Sequence, residues 1–60
     1  MNCNVGDWVR FWMNHRLVIG VVEYRRKLTT YPYGMELVTD AGLVDEDDVI
    51  ERRAATVEGQ

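Results

Sequence analysis

Apolar and polar positions alternate along this chain in short, closely spaced runs. Asp7-Trp8-Val9-Arg10-Phe11-Trp12 is a short run of aromatic and β-branched residues of the kind that forms a strand. Leu17-Val18-Ile19-Gly20-Val21-Val22-Glu23-Tyr24 is rich in the β-branched and aromatic residues that fill pleated surfaces. Met35 to Thr39 and Leu43-Val44 are shorter, split by Asp40-Ala41-Gly42. These runs predict strands over about 7–12, 17–26 and 35–39, a fourth from Leu43, and a short fifth at Val49-Ile50-Glu51. Met13-Asn14-His15-Arg16 is expected to turn a hairpin, because Asn and His tolerate positive φ better than most residues. Gly20 suggests a bulge or sharp bend inside the second strand. Lys27 to Gly34 reads as a longer loop, since Pro32 cannot sit in a central strand. Asp45-Glu46-Asp47-Asp48 reads as one helical turn: Asp caps its start, and acids favour its N-terminal end.

Alternation also divides the side chains between two faces. Val9 and Phe11 point one way, and Trp8, Arg10 and Trp12 the other. The expected core is Val9, Phe11, Ile19 or its neighbour Val22, Leu37, Val44 and Val49. That choice puts both tryptophans on the surface with Arg10 between them; the reverse choice makes Trp8 and Trp12 the core. Residues 1–53 form one domain on this reading, and residues 54–60, which lack periodicity, a frayed tail.

Gly6-Asp7-x-Val9-x-Phe11, then Gly20-x-Val22, then Thr39-Asp40-x-Gly42-x-Val44-x-x-x-x-Val49 resembles the pattern of small SH3-like barrels. These include KOW and Tudor-type modules and PsaE-type photosystem subunits. The resemblance spans roughly residues 5–52 and lies in glycines and apolar spacings. The KOW signature expects more glycines between the first two strands than Met13-Asn14-His15-Arg16 supplies. The resemblance therefore implies an all-β, single SH3-like five-stranded barrel with a helical turn near Asp45–Asp48, and it transfers no active residues.

A chain of 60 residues buries only about 60% of the surface it exposes when unfolded, so small domains lean on disulfides, metals or a partner chain. Cys3 is the only cysteine and His15 the only histidine, so neither a disulfide nor a tetrahedral zinc site can form within one chain. The remaining route to stability is association, and hydrophobic residues, at 47% of the chain, are ample for an interface as well as a core. Residues 1–12 lack a basic start followed by an apolar run, so no signal peptide is expected. No apolar stretch approaches the roughly 20 residues of a membrane helix. A free thiol then points to the cytoplasm.

The net charge of −3 is unevenly placed. Arg10, Arg16, Arg25, Arg26 and Lys27 lie in the first half, and Asp40, Asp45, Glu46, Asp47, Asp48 and Glu51 crowd the second. The acidic run could suggest a hard cation, but a calcium loop wants acids at alternate positions around a Gly bend, and these are consecutive. A solvated cap is the simpler reading. Catalysis needs a nucleophile beside a base. Cys3, expected in a mobile terminus, and His15, at a hairpin tip, are not brought together by the pattern. No catalytic, cofactor or metal residues are therefore assigned, although a site formed only between protomers would leave no motif in one chain.

Two aromatic groups carry what functional signal there is. Trp8, Arg10 and Trp12 would present an apolar patch to a partner, either another protein or a second copy. Tyr24, Arg25, Arg26, Lys27, Tyr31 and Tyr33 set cations beside rings, as single-strand nucleic-acid binders and methyl-lysine cages do, though a solvated hairpin end has the same composition. The leading expectation is a non-catalytic binding or assembly module, a homo-oligomer. The alternative is a nucleic-acid-associated module using the Arg25-Arg26-Lys27 hairpin. An acidic total charge ranks that alternative lower, since phosphate contacts need clustered cations.

Overall fold

A computed structural model describes residues 2–55 of the chain. Five antiparallel strands form it: β1 (Trp8–Met13), β2 (Arg16–Leu28), β3 (Gly34–Thr39), β4 (Gly42–Asp45) and β5 (Glu51–Arg53). A 3-10 turn (Glu46–Asp48) joins β4 to β5. The sheet order is β4-β3-β2-β1-β5, so each of the first three strands pairs with its successor and β5 returns to the free side of β1. Among the described residues no helix is long and apolar enough to cross a membrane.

The β1–β2 hairpin turns where the sequence predicts. Asn14 and His15 have φ of 51° and 65°. Two successive left-handed residues make the tight loop whose twist matches the flanking strands. β2 runs two residues further than expected, to Leu28, which shortens the following loop to residues 29–33. β5 starts at Glu51 rather than Val49, because Val49 closes the 3-10 turn through its amide, which donates to the Glu46 carbonyl at 3.3 Å. Ala54 and Ala55 continue without regular structure, and the rest of the expected tail lies outside the described residues.

Gly20 is not where β2 is bulged. It pairs with Val9 in regular register. The irregularity comes at Glu23: Val22 pairs with Thr39 but Tyr24 pairs with Val38, so two steps along β2 match one along β3. An extra residue flips the alternation. Before it Val18, Gly20 and Val22 face inward; after it Arg25 and Lys27 share the side of Leu37 and Met35, and Tyr24 and Arg26 turn out. Gly20 answers a different need. A Cβ there would sit 2.5 Å from Thr39 Oγ1, so the glycine admits Thr39 against β2.

The core is one cluster: Cys3, Val9, Phe11, Val22, Leu37, Val44 and Val49, with Met13, Val18, Met35 and Ala41 packed against it. The face bearing Val9 and Phe11 is therefore the inside. Of the pair Ile19 and Val22, Val22 is buried and Ile19 exposed, since Ile19 pairs with outward-facing Arg10. Cys3 was expected in a mobile terminus, and it is instead fully buried. Its amide donates to Glu46 Oε2 at 2.8 Å, which pins the N-terminal segment to the 3-10 turn. Asp7 makes a second clasp. Its Oδ2 accepts from the Asn4 amide at 2.8 Å and from Arg52 Nε at 2.6 Å, tying the lead-in of β1 to β5.

Candidate functional site

The outer face of the β1–β2 hairpin follows directly from register. Trp8 pairs with Val21, Arg10 with Ile19 and Trp12 with Leu17, and cross-strand partners share a face. Every one of these residues therefore projects away from the core. Trp8 is 51% exposed and Trp12 63%, and Leu17 and Ile19 are about half exposed beside them. The chain thus displays an apolar stripe that no other described element covers. Arg10 crosses its middle, and its Nη1 lies 3.3 Å from Glu51 Oε1 on β5. The guanidinium between the tryptophans is therefore paired within the chain.

Two open grooves flank the stripe. One, of about 530 Å³, is walled by Trp8, Ile19, Glu51 and Arg53. The other, of about 390 Å³, is walled by Trp12, Leu43, Asp45 and Asp48. Each groove has a tryptophan on its wall, and they differ in the charge that accompanies it.

The second aromatic group is arranged less simply than the sequence suggests. Tyr24, Tyr31 and Tyr33 are exposed, and Tyr31 and Tyr33 meet edge to face at 6.3 Å. The cations are not one patch. After the bulge, Arg25 and Lys27 lie on the inner side of β2 and Arg26 on the outer side. Arg25 Nη2 is 3.4 Å from Glu46 Oε2, and Arg26 is paired with Glu36 across the β2–β3 ladder. Arg25 Nε is buried with no hydrogen-bond partner among the described residues. Lys27 makes no ion pair among the described residues. Sequence reasoning missed these pairings because the phase change at Glu23 has no glycine or proline to announce it.

The acidic run diverges as its helical geometry requires. Asp45 Oδ1 caps the turn by accepting from the Asp47 amide at 2.8 Å, Glu46 turns in toward Cys3 and Arg25, and Asp47 and Asp48 face solvent. Among the described residues no group of three or more His, Cys, Asp and Glu side chains could hold a metal ion. Cys3 is held against Glu46 inside the fold, whereas His15 is exposed at the β1–β2 tip. Burial pushes the Cys3 thiol above its ordinary range, and the nearby Glu46 and Asp7 carboxylates push it further. A thiol of that kind is a poor nucleophile.

Comparison of the chain with protein-family models, with curated proteins and with solved structures finds no match. The functional reading rests on the geometry alone.

Proposed function

We propose that this chain is a non-catalytic binding and assembly module, a homo-oligomer that associates through the stripe of Trp8, Trp12, Leu17 and Ile19. We read its strands as an SH3-like barrel, supported by the return of β5 to β1, the 3-10 turn between β4 and β5, and a single core shared by the whole sheet. The observation that carries the functional reading is the uninterrupted outward register of the stripe, with both tryptophans more than half exposed. Large aromatic side chains in water forgo a burial gain of about 25 cal/mol per Å² of apolar surface. They are also the residues that dominate binding energy when a partner covers them. Arg10, neutralised by Glu51, can be covered along with them at less cost than a free cation.

Sedimentation equilibrium tests this. The chain is expected as a dimer or larger at micromolar concentration, with Trp8→Ala or Trp12→Ala shifting it to monomer and Arg25→Ala and Arg26→Ala leaving it unchanged. A monomer at high concentration, with both tryptophans freely quenched by iodide, would overturn the reading. Tight oligonucleotide binding that weakens steeply with salt and disappears in the Arg25→Ala/Arg26→Ala double variant would replace it with the nucleic-acid alternative.

A further inference from the structure

The homo-oligomer reading does not say how two copies meet, and the two grooves do. We propose that a second copy docks antiparallel, related by a twofold axis that lies in the contact plane and crosses β1 near Arg10. Arg53 of each copy then enters the acidic groove beside Trp12 of the other. This inference rests on the stripe being the association face.

The charge along the stripe is polarised. At the Trp8 end, Trp8 pairs across β1–β5 with Arg53, which is 81% exposed in its side chain. Its nearest acid is Glu51, at 4.0 Å, and Glu51 is already engaged at 3.3 Å by Arg10. Two cations, Arg10 and Arg53, thus share one carboxylate, and that end carries an excess of positive charge. At the Trp12 end, Asp45 and Asp48 line the groove, and no ion pair engages either of them among the described residues. That end carries unsatisfied anions. Two further charges lie off the contact. Arg16 follows the hairpin tip and pairs with inward-facing Met13, and Asp40 accepts the Val21 amide on the side of β2 away from β1.

Trp8 and Trp12 stand four residues apart, roughly 13 Å along the strand. A half-turn about an axis midway between them exchanges the two ends. Each basic groove then meets an acidic one, and Trp8 of one copy lies over Trp12 of the other. A parallel arrangement would set basic end beside basic end and acidic beside acidic. A twofold contact is self-complementary by construction, so the chain needs no second kind of surface and the assembly closes as a dimer. Opposed charges at its rim set the register, while the tryptophans supply the burial.

Charge exchange tests the arrangement with exposed residues only, so the variants should fold, which far-UV circular dichroism verifies. Arg53→Glu alone places acid against acid at both symmetric contacts, and Asp48→Lys alone places cation against cation. Each is expected to weaken dimerisation by about tenfold or more. An equimolar mixture of the two variants restores opposite charges at both contacts, and native mass spectrometry should show heterodimers at close to the wild-type affinity. If both single variants dimerise like the wild type while Trp12→Ala does not, the antiparallel register is wrong and the aromatic reading stands. If the single variants weaken and the mixture fails to recover, Arg53 and Asp48 do not face each other. If the wild type is a monomer with freely quenched tryptophans, the inference falls together with the reading beneath it.

Discussion

Gly20→Ala separates the packing argument from the conformational one, because the two predict opposite signs. Glycine in a strand interior is destabilising by roughly 0.5–1 kcal/mol relative to alanine, since it loses more freedom on folding. Gly20 has no left-handed φ to protect, so on that ground alone alanine should stabilise. The surroundings say otherwise. The new Cβ would lie 2.5 Å from Thr39 Oγ1, 2.8 Å from Thr39 Cβ and 3.1 Å from Ala41 Cβ. Turning the Thr39 side chain relieves only the first contact. It also disturbs the hydroxyl that accepts from the Ala41 and Gly42 amides at 3.0 Å and donates to the Gly42 carbonyl at 2.8 Å. Overpacking a close-packed site costs about 1–3 kcal/mol. Each hydroxyl bond forfeited adds about 0.5–1.5 kcal/mol. The net expectation is a loss of about 2 kcal/mol or more. In urea that lowers the unfolding midpoint by about 2 M, taking the shallow slope of about 1 kcal/mol/M usual for a small domain. Tryptophan fluorescence at fixed protomer concentration reads it, since association would otherwise shift the midpoint. A midpoint equal to the wild type or above it would show that β2 and Thr39 are not in this contact.

The remaining predictions concern the core, the Asp7 clasp and the buried thiol. Phe11→Ala removes the largest fully buried side chain and should cost about 3–5 kcal/mol, enough to unfold most of the population by circular dichroism; near-normal stability would mean that the faces of β1 have been reversed. Arg52's hydrogen bond, with help from the Asn4 amide, holds the Asp7 carboxyl below its ordinary value of 3.8. A carboxyl depressed in the folded state contributes stability that is fully present above that ordinary value and lost as pH falls through the lower folded one. Arg52→Ala should therefore destabilise the neutral protein and flatten the acid limb of its stability curve, and an unchanged limb would refute the clasp. Cys3, buried and with its pKa raised, should react with an aromatic disulfide reagent far more slowly in the native protein than in urea; equal rates would show the N-terminal segment undocked.

Much of this architecture is legible in local pattern. Alternation from Trp8 to Trp12 sorts the side chains onto two faces, and the burial of Val9 and Phe11 decides which of the two is inside. Asn14-His15 and Asp40-Ala41-Gly42 mark turns through the backbone freedom of their own residues. Asp45 announces the 3-10 turn by capping chemistry that reaches only two residues ahead. What stays hidden is set at long range. Cys3 is buried because Glu46, 43 positions away, accepts its amide. Asp7 is buried because Arg52, 45 positions away, meets its carboxylate. Gly20 looks like a bulge from its neighbours and proves to be a clearance for Thr39 on another strand. The same limit applies to the surface: the sequence shows that Arg10 lies between two tryptophans, and only the return of β5 shows that Glu51 has neutralised it.

The placement of one residue, Glu23, weighs on the choice of function. Unbroken alternation through β2 would have set Tyr24 and Arg26 inward with Val22, and left Arg25 and Lys27 pointing out as a pair of free cations. The bulge at Glu23 shifts the phase, so Arg25 is carried in to Glu46 and Arg26 out to Glu36. A phosphate backbone approaching this strand would have to break ion pairs that already hold β2 to β3 and to the 3-10 turn, and the released carboxylates would repel it. β1 and the first half of β2 carry no such irregularity. There the outward register runs undisturbed, and it collects Trp8, Trp12, Leu17 and Ile19 on one surface. The bulged half of the sheet holds its two arginines in internal pairs, while the regular half leaves its apolar surface uncovered. That division favours a protein surface as the partner over a polyanion, and it makes the two tryptophans the residues whose removal should be felt first.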